Sequence, residues 1–257
     1  MVRLSLFLLL NLVTLIASSA ENKLKFCYID HSMSPWITGA NQGLVLSAIH
    51  QAEHDLNQEF ELLRLPWKRC LNEVKEGRIQ AAIGASYMKE RTIWGSYPTT
   101  THGALNKDLR LFNANFYLYR HMNSKVRWHN QHLEHADNLH VGVQLGYSVG
   151  RDLEKLGYSI TYLPASDDLV GAFKSGMPEV IVLEEAEANR IMNKNTALKN
   201  TMIRDDEPIK IAEQYLLFNA DFYNEHKVQV NTIWATLGKI RKSKSYQRET
   251  AKCLKPR

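Results

Sequence analysis

The chain has 257 residues, 44% of them apolar and 23% charged, with 32 Lys and Arg against 27 Asp and Glu for a formal charge of +5. That balance is ordinary for a folded globular protein and excludes disorder, collagen and coiled coil. Basic residues gather only near the C-terminus (Lys239, Arg241, Lys242, Lys244, Lys252, Lys255, Arg257), as on a solvated helix face. A nucleic-acid partner would need a dense basic stripe beside exposed aromatics, so none is expected.

Met1 to Ala20 places one basic residue, Arg3, before an apolar run from Leu4 to Ile16 and the small residues Ala17-Ser18-Ser19-Ala20. This is the pattern of a cleaved secretory signal, and the run is too short to span a bilayer. Periplasmic localisation is therefore expected, with no cysteine near the cleavage point to carry a lipid.

The first strand is Leu24 to Ile29, followed by the turn-rich Asp30-His31-Ser32-Met33-Ser34-Pro35-Trp36. Gly43 to Leu56 has helical periodicity, with Leu44, Ile49, Ala52 and Leu56 on one side. Phe60 to Leu65 is a second strand. Pro66-Trp67 opens a helix that Gly77 closes, as expected of Pro near a start and Gly past an end. Ala81 to Ala85 is a buried strand, and Ser86 to Arg91 a polar turn. This β-α-β-α-β order predicts a three-layer α/β unit with a largely parallel sheet.

The order then repeats. Val141 to Val143 is a strand, Gln144-Leu145-Gly146-Tyr147-Ser148 a loop, and Val149 to Leu156 a helix. Ser159 to Tyr162 is the next strand, Asp167 to Lys174 a helix stopped by Gly176, Val180 to Leu183 a strand and Glu185 to Met192 a helix. Asn115 to Arg120 and Ile209 to Phe218 are strand-like and bracket this second unit. Asp221 to Ile240 and Lys244 to Leu254 are the last helices. The expected architecture is a two-lobed α/β clamshell hinged on two crossing strands: 21–117 with 213–257 in lobe 1, and 118–212 in lobe 2. Each lobe is expected to carry its own sheet, and one continuous sheet would end this reading.

Three cysteines in an exported chain permit one disulfide and leave one over. Cys27 lies in a strand and Cys70 early in a helix, and both flank the expected ligand cleft, so Cys27–Cys70 is the pairing expected. Three buried thiols are the alternative. His50-Gln51-Ala52-Glu53-His54 matches an inverted zinc-protease pattern, but that chemistry needs a third carboxylate ligand and a long catalytic scaffold. His129, His132 and His135 read as surface residues. No nucleophile elbow, phosphate loop or dinucleotide fingerprint is present, so no catalytic residue, metal site or cofactor is expected.

The run from Leu65 to Arg91, with its aromatic, helix, strand and Gly84-Ala85-Ser86…Arg91, resembles the polar-amino-acid type of bacterial periplasmic solute-binding protein, the extracellular solute-binding proteins of family 3. The resemblance covers nearly all the chain beyond the signal, and it implies the type II clamshell of that family. It also implies that Gly84, Ser86 and Arg91 hold an α-carboxylate, that Trp67 packs on the ligand, and that Glu184 binds an α-amino group. Asp30, Met33, Pro35 and Trp36 resemble the family's ligand loop after the first strand. Met33 replaces an aromatic, Gln80 an acid, and Ser86 a Thr. Gln144 to Ser148 replaces a Gly-Ser/Thr-rich anion turn, and the adjacent Glu184 and Glu185 leave the amino-group acid open between them.

These residue types suit the task. Arg is a planar, permanently charged bidentate donor for a carboxylate. Trp67 and Trp36 offer apolar walls or a cation–π face. Asp30 follows a strand end and could pair with a cationic group. Gly146, Tyr147 and Ser148 precede a helix whose free N–H groups can hold an anion. Glu184 and Glu185 begin a helix, where the dipole favours carboxylates in any case. The expected function is reversible binding of a small carboxylated solute, an amino acid or organic acid, by a monomer serving an ABC permease or a membrane sensor. A cyclohexadienyl-dehydratase-like enzyme and an orphan sensor are the alternatives. Arg91, as a cleft residue, is expected to contribute little to folding.

Overall fold

Short apolar runs bounded by turn residues supply the strands. The computed structural model describes residues 23–254; the signal expected over Met1 to Ala20 lies outside the described residues. β1 (Leu24–Ile29) pairs in parallel with β2 (Phe60–Leu65) and β3 (Ala81–Ser86), and α1 (Leu44–Leu56) and α2 (Trp67–Lys75) form the crossovers. α1 buries Leu44, Ile49 and Ala52 of the stripe its periodicity predicts, with Leu56 partly buried and Val45, Leu46 and Ala48 buried beside them, and stops at Asn57 in the left-handed conformation. A disulfide joins Cys27 in β1 to Cys70 in α2, and Cys253 is an exposed free thiol.

After the two-residue β4 (Gly95–Ser96), the long β5 (Phe112–His121) leads into the second unit. There β6 (Arg127–His129) and β7 (His132–Glu134) form a separate hairpin that the sequence pattern did not mark; its positive-φ tip is Asn130-Gln131. β8 (His140–Gln144), α3 (Ser148–Lys155), β9 (Ser159–Leu163), α4 (Ser166–Lys174), β10 (Val180–Glu184), α5 (Glu185–Lys194) and α6 (Thr196–Lys199) follow. β8 pairs in parallel with β9 and β10. The chain returns along β11 (Met202–Asn219) and ends in α7 (Ala220–Glu225), α8 (Lys227–Lys242) and α9 (Lys244–Cys253).

The strand order is β2-β1-β3-β11-β5-β10-β8-β9, with β4 on β11. One hydrogen-bonded ladder therefore crosses both lobes, and the expectation of two separate sheets is corrected. The cause is the length of β5 and β11. Gln214 to Phe218 of β11 pairs with β3, whereas β5 pairs with β10 over Phe116 to Arg120. Each crossing strand thus gives its edge to one parallel triplet, and the two pair with each other between them. Register shifts around Pro208 and at Tyr215/Leu216 bend β11 on its way across. The result is a two-lobed α/β clamshell whose two sheets are fused through the crossing strands.

Two element limits also differ from expectation. β11 begins at Met202, well before Ile209, because buried Asp205 accepts from Arg120 Nε at 2.8 Å and from the Trp128 backbone N–H at 2.7 Å. The helix expected from Asp221 to Ile240 is two helices. Asn219 caps α7 by accepting from Phe222 N–H, and His226 leaves the helical region before α8 starts. α8 then buries Val230, Ile233, Trp234 and Leu237 at helical spacing and packs on α1.

Candidate functional site

The loop after β1, the start of α2, the end of β3 and the turn between β8 and α3 converge where the lobes meet. They form a small chamber of about 30 Å³ lined by Ile29, Met33, Ile37, Trp67, Ile83, Gly84, Ser86, Phe112, Ala114, Phe116, Gly146, Tyr147, Ser148 and Gln214. That volume is the room of roughly one or two water molecules. Seven of the twelve residues singled out in the sequence line it: Met33, Trp67, Gly84, Ser86, Gly146, Tyr147 and Ser148.

The seam between the lobes is polar at this point. Ser86 Oγ and Ser148 Oγ are 2.7 Å apart, and both side chains are buried. Arg91 donates from Nη1 to the Ser86 carbonyl at 2.8 Å and from Nη2 to the Gly146 carbonyl at 2.5 Å. The Ser86 carbonyl also accepts from Tyr97 Oη at 2.7 Å, and Trp67 Nε1 donates to the Gly146 carbonyl at 3.4 Å. Arg91 is only 5% exposed, which corrects the expectation of a cleft residue that leaves folding untouched. Its charge is held by the dipoles of the Ser86 and Gly146 carbonyls. Gly146 sits at φ +91°, where a side chain is strained and its Cβ would stand 3.3 Å from the Trp67 ring.

The other expected residues are placed differently. Trp36 stacks on Phe112 at 4.9 Å and lines an outer groove of about 960 Å³, together with Glu184 and Glu185. Glu184 is buried and caps α5 by accepting from Glu187 N–H at 3.0 Å. Burial and the charge of Glu187 push its pKa up to about 8, so it is largely neutral at pH 7. Glu185 is a partly exposed partner of Arg204 and Asn115. Asp30 is half-exposed and lies 3.4 Å from His31 Nδ1.

Three residues that the sequence reading passed over belong to this seam. His31 Nε2 pairs with Glu187, which is fully buried in α5 and also accepts from Tyr147 Oη at 3.3 Å. Burial opposes the imidazolium, but the charge and hydrogen bond of Glu187 outweigh it and raise the His31 pKa above 6.5. Lys210, on β11, donates to Ser148 Oγ at 2.9 Å and pairs with Asp152 of α3. None has a local signature. His31 and Glu187 are remote in the chain, and Lys210 is one polar position in an alternating strand.

The fold is that of the periplasmic-binding-protein class, shared with substrate-binding proteins of the amino-acid ABC transporter type. A histidine kinase sensor domain with similarity to periplasmic binding proteins has a TM-score of 0.71 at 14% identity, over 91% of this chain and 97% of that one. An arginine transport-system periplasmic binding protein from Legionella pneumophila has a TM-score of 0.68 at 14% identity, over 90% and 99%. An arginine-binding protein mutant from T. maritima has a TM-score of 0.66 at 17% identity, over 90% and 94%. No protein-family model and no curated sequence matches the chain.

Proposed function

We propose that this protein binds a small carboxylated solute, an amino acid or a related compound, reversibly in the cleft between its lobes, for ABC-type uptake or for sensing. One observation carries the reading: the Ser86 and Ser148 hydroxyls, one from each lobe, meet at the wall of an apolar chamber, and the guanidinium of Arg91 stands behind that wall on the Ser86 and Gly146 carbonyls. A carboxylate needs such converging donors, and apolar walls exclude competing water. The chamber is too small for an amino acid as it stands, so the lobes part on β5 and β11 to admit the solute and close over it.

The lobe limits in this reading are 21–117 with 213–257, and 118–212. The split pairing of β11, to β3 at one end and to β5 at the other, supports them. The periplasm is the compartment. The disulfide, the likeness to periplasmic proteins and the signal-like N-terminus support that, and among the described residues no helix is long and apolar enough to cross a membrane. The transporter-type and sensor-domain likenesses support delivery of the liganded monomer to a permease or a membrane receptor.

The reading excludes turnover. Of the two acids that could serve an elimination, Glu184 caps α5 and Glu185 is held by Arg204 and Asn115. A thermal-shift screen over amino acids, peptides and organic acids tests the function. A solute at 100 times its Kd stabilises the protein by about 2.7 kcal/mol. No shift from any acid at millimolar concentration, or conversion of prephenate-like substrates, contradicts it.

A further inference from the structure

We propose that the cleft selects solutes bearing a second anionic group, dicarboxylates and acidic amino acids in preference to basic ones, and that Lys210 sets this preference. The inference rests on the carboxylate reading of the cleft and names the solute class. It starts from the charges at the Ser86–Ser148 seam. On one side, Arg91 reaches the Ser86 and Gly146 carbonyls; on the other, Lys210 reaches Ser148 Oγ at 2.9 Å. Two permanent cations from different elements thus flank one pair of hydroxyls 2.7 Å apart. Only Lys210 has a carboxylate partner, Asp152, whose side chain is 48% exposed.

No carboxylate lines the chamber, and the two cations stand behind its wall, each bonded to a residue that lines it: Lys210 to Ser148 and Arg91 to Ser86 and Gly146. Glu187 is fully buried and engaged by His31 and Tyr147, Glu185 by Arg204 and Asn115, and Asp152 by Lys210. Glu184 faces its own helix terminus and is largely neutral at pH 7. A solute cation enclosed here would lose its hydration and find no counter-charge, while a second solute anion would find Lys210. When the lobes part, Ser86 and Ser148 separate. An acid inserted between them meets the Ser148 hydroxyl with the Lys210 ammonium already on it.

Calorimetric titrations of the full chain with succinate, L-glutamate, acetate, L-leucine and L-arginine test this. Succinate or L-glutamate should bind at least about tenfold tighter than L-arginine and L-leucine. Lys210→Met should abolish that advantage, weakening succinate and L-glutamate by a larger factor than acetate and L-leucine. Lys210→Arg should keep it, which separates loss of charge from loss of folding. Asp152→Asn, which frees Lys210 from its competitor, should strengthen diacid binding. Tighter binding of L-arginine, or an unchanged ratio in Lys210→Met, overturns the inference while sparing the carboxylate reading. Absence of binding by every acid in the wild type overturns both.

Discussion

Arg91 and Gly146 lie 55 residues apart in the chain, yet the guanidinium of one holds the carbonyl of the other across the seam between the lobes. The same side chain holds Ser86 in its own lobe, so a single buried cation joins a strand end to the turn that starts α3. Such charge-assisted bonds are stronger than neutral ones. Arg91→Ala removes both and leaves the Ser86 carbonyl to Tyr97 Oη and the Gly146 carbonyl to Trp67 Nε1 alone. It should lower stability by about 1–3 kcal/mol, read as a lower midpoint in urea denaturation. Arg91→Lys should recover part of this, since an ammonium cannot reproduce the fork. An unchanged midpoint in Arg91→Ala would mean that the closed seam contributes nothing to the folded state.

Stability should fall as pH rises from 5 to 9. His31 binds its proton more tightly in the folded protein than in the unfolded chain. Its contribution is therefore complete below about pH 6.5 and is lost as pH rises through the folded value. Glu184, raised to about 8, likewise keeps a proton that the unfolded chain releases, so its effect has the same sign from about pH 4.5 upward. The groups facing His31 are Glu187, Asp30 and Arg190, with Tyr147 on the far side of Glu187. Thermal melts across this range should show Tm declining, and Glu187→Gln should flatten the slope above pH 6. A Tm that rises with pH contradicts the pairing.

Gly146 is the point of closest approach between the α3 turn and the Trp67 indole. A side chain there meets both a positive φ and the Trp67 and Leu71 side chains, at 3.3 and 3.4 Å from its Cβ. Gly146→Val should hold the lobes apart and change the Trp67 fluorescence. It should also weaken any solute found by screening by at least about tenfold. Small-angle scattering should show a larger radius of gyration with solute present. Wild-type compaction in this variant would place lobe closure elsewhere.

The Cys27–Cys70 bridge closes a separation of 43 residues between β1 and α2. Constraint of the unfolded chain by a loop of this length is worth about 4 kcal/mol in the entropy model. The Cys27→Ala/Cys70→Ala double variant, or reduction by dithiothreitol, should cost on the order of 2–4 kcal/mol in denaturant titrations. Solute affinity should also fall, since Trp67 stands one turn before Cys70 on α2. A midpoint insensitive to reductant would contradict the bond.

The two β-α-β-α-β units were legible because their signals are local. Ala81–Ser86 and Val180–Glu184 are buried apolar runs with turn residues beside them, and α1 carries its stripe within 13 residues. The missing half of β11 was hidden because Arg204 to Pro208 is charged and ends in proline, a poor strand by composition. The Arg120–Asp205 pair and the partner strand β5 hold it extended. The fused sheet was hidden for a related reason, since strand length decides it and the ends of β5 and β11 are set by pairing. At the candidate site, Ser86 and Arg91 were legible through the resemblance of Leu65 to Arg91 to the solute-binding family, and the Gly146 turn because it precedes a helix. His31, Glu187 and Lys210 were not, because their roles exist only once the two lobes meet.

Titration of one solute into two proteins tests the carboxylate site most directly. The acid giving the largest thermal shift is titrated calorimetrically into wild type and into Arg91→Ala, whose fold is checked by circular dichroism. One site per chain in the wild type, with a loss of about 3–5 kcal/mol, more than a hundredfold, in the variant, is the expected result. Equal affinity in the two proteins would contradict a carboxylate held at Arg91.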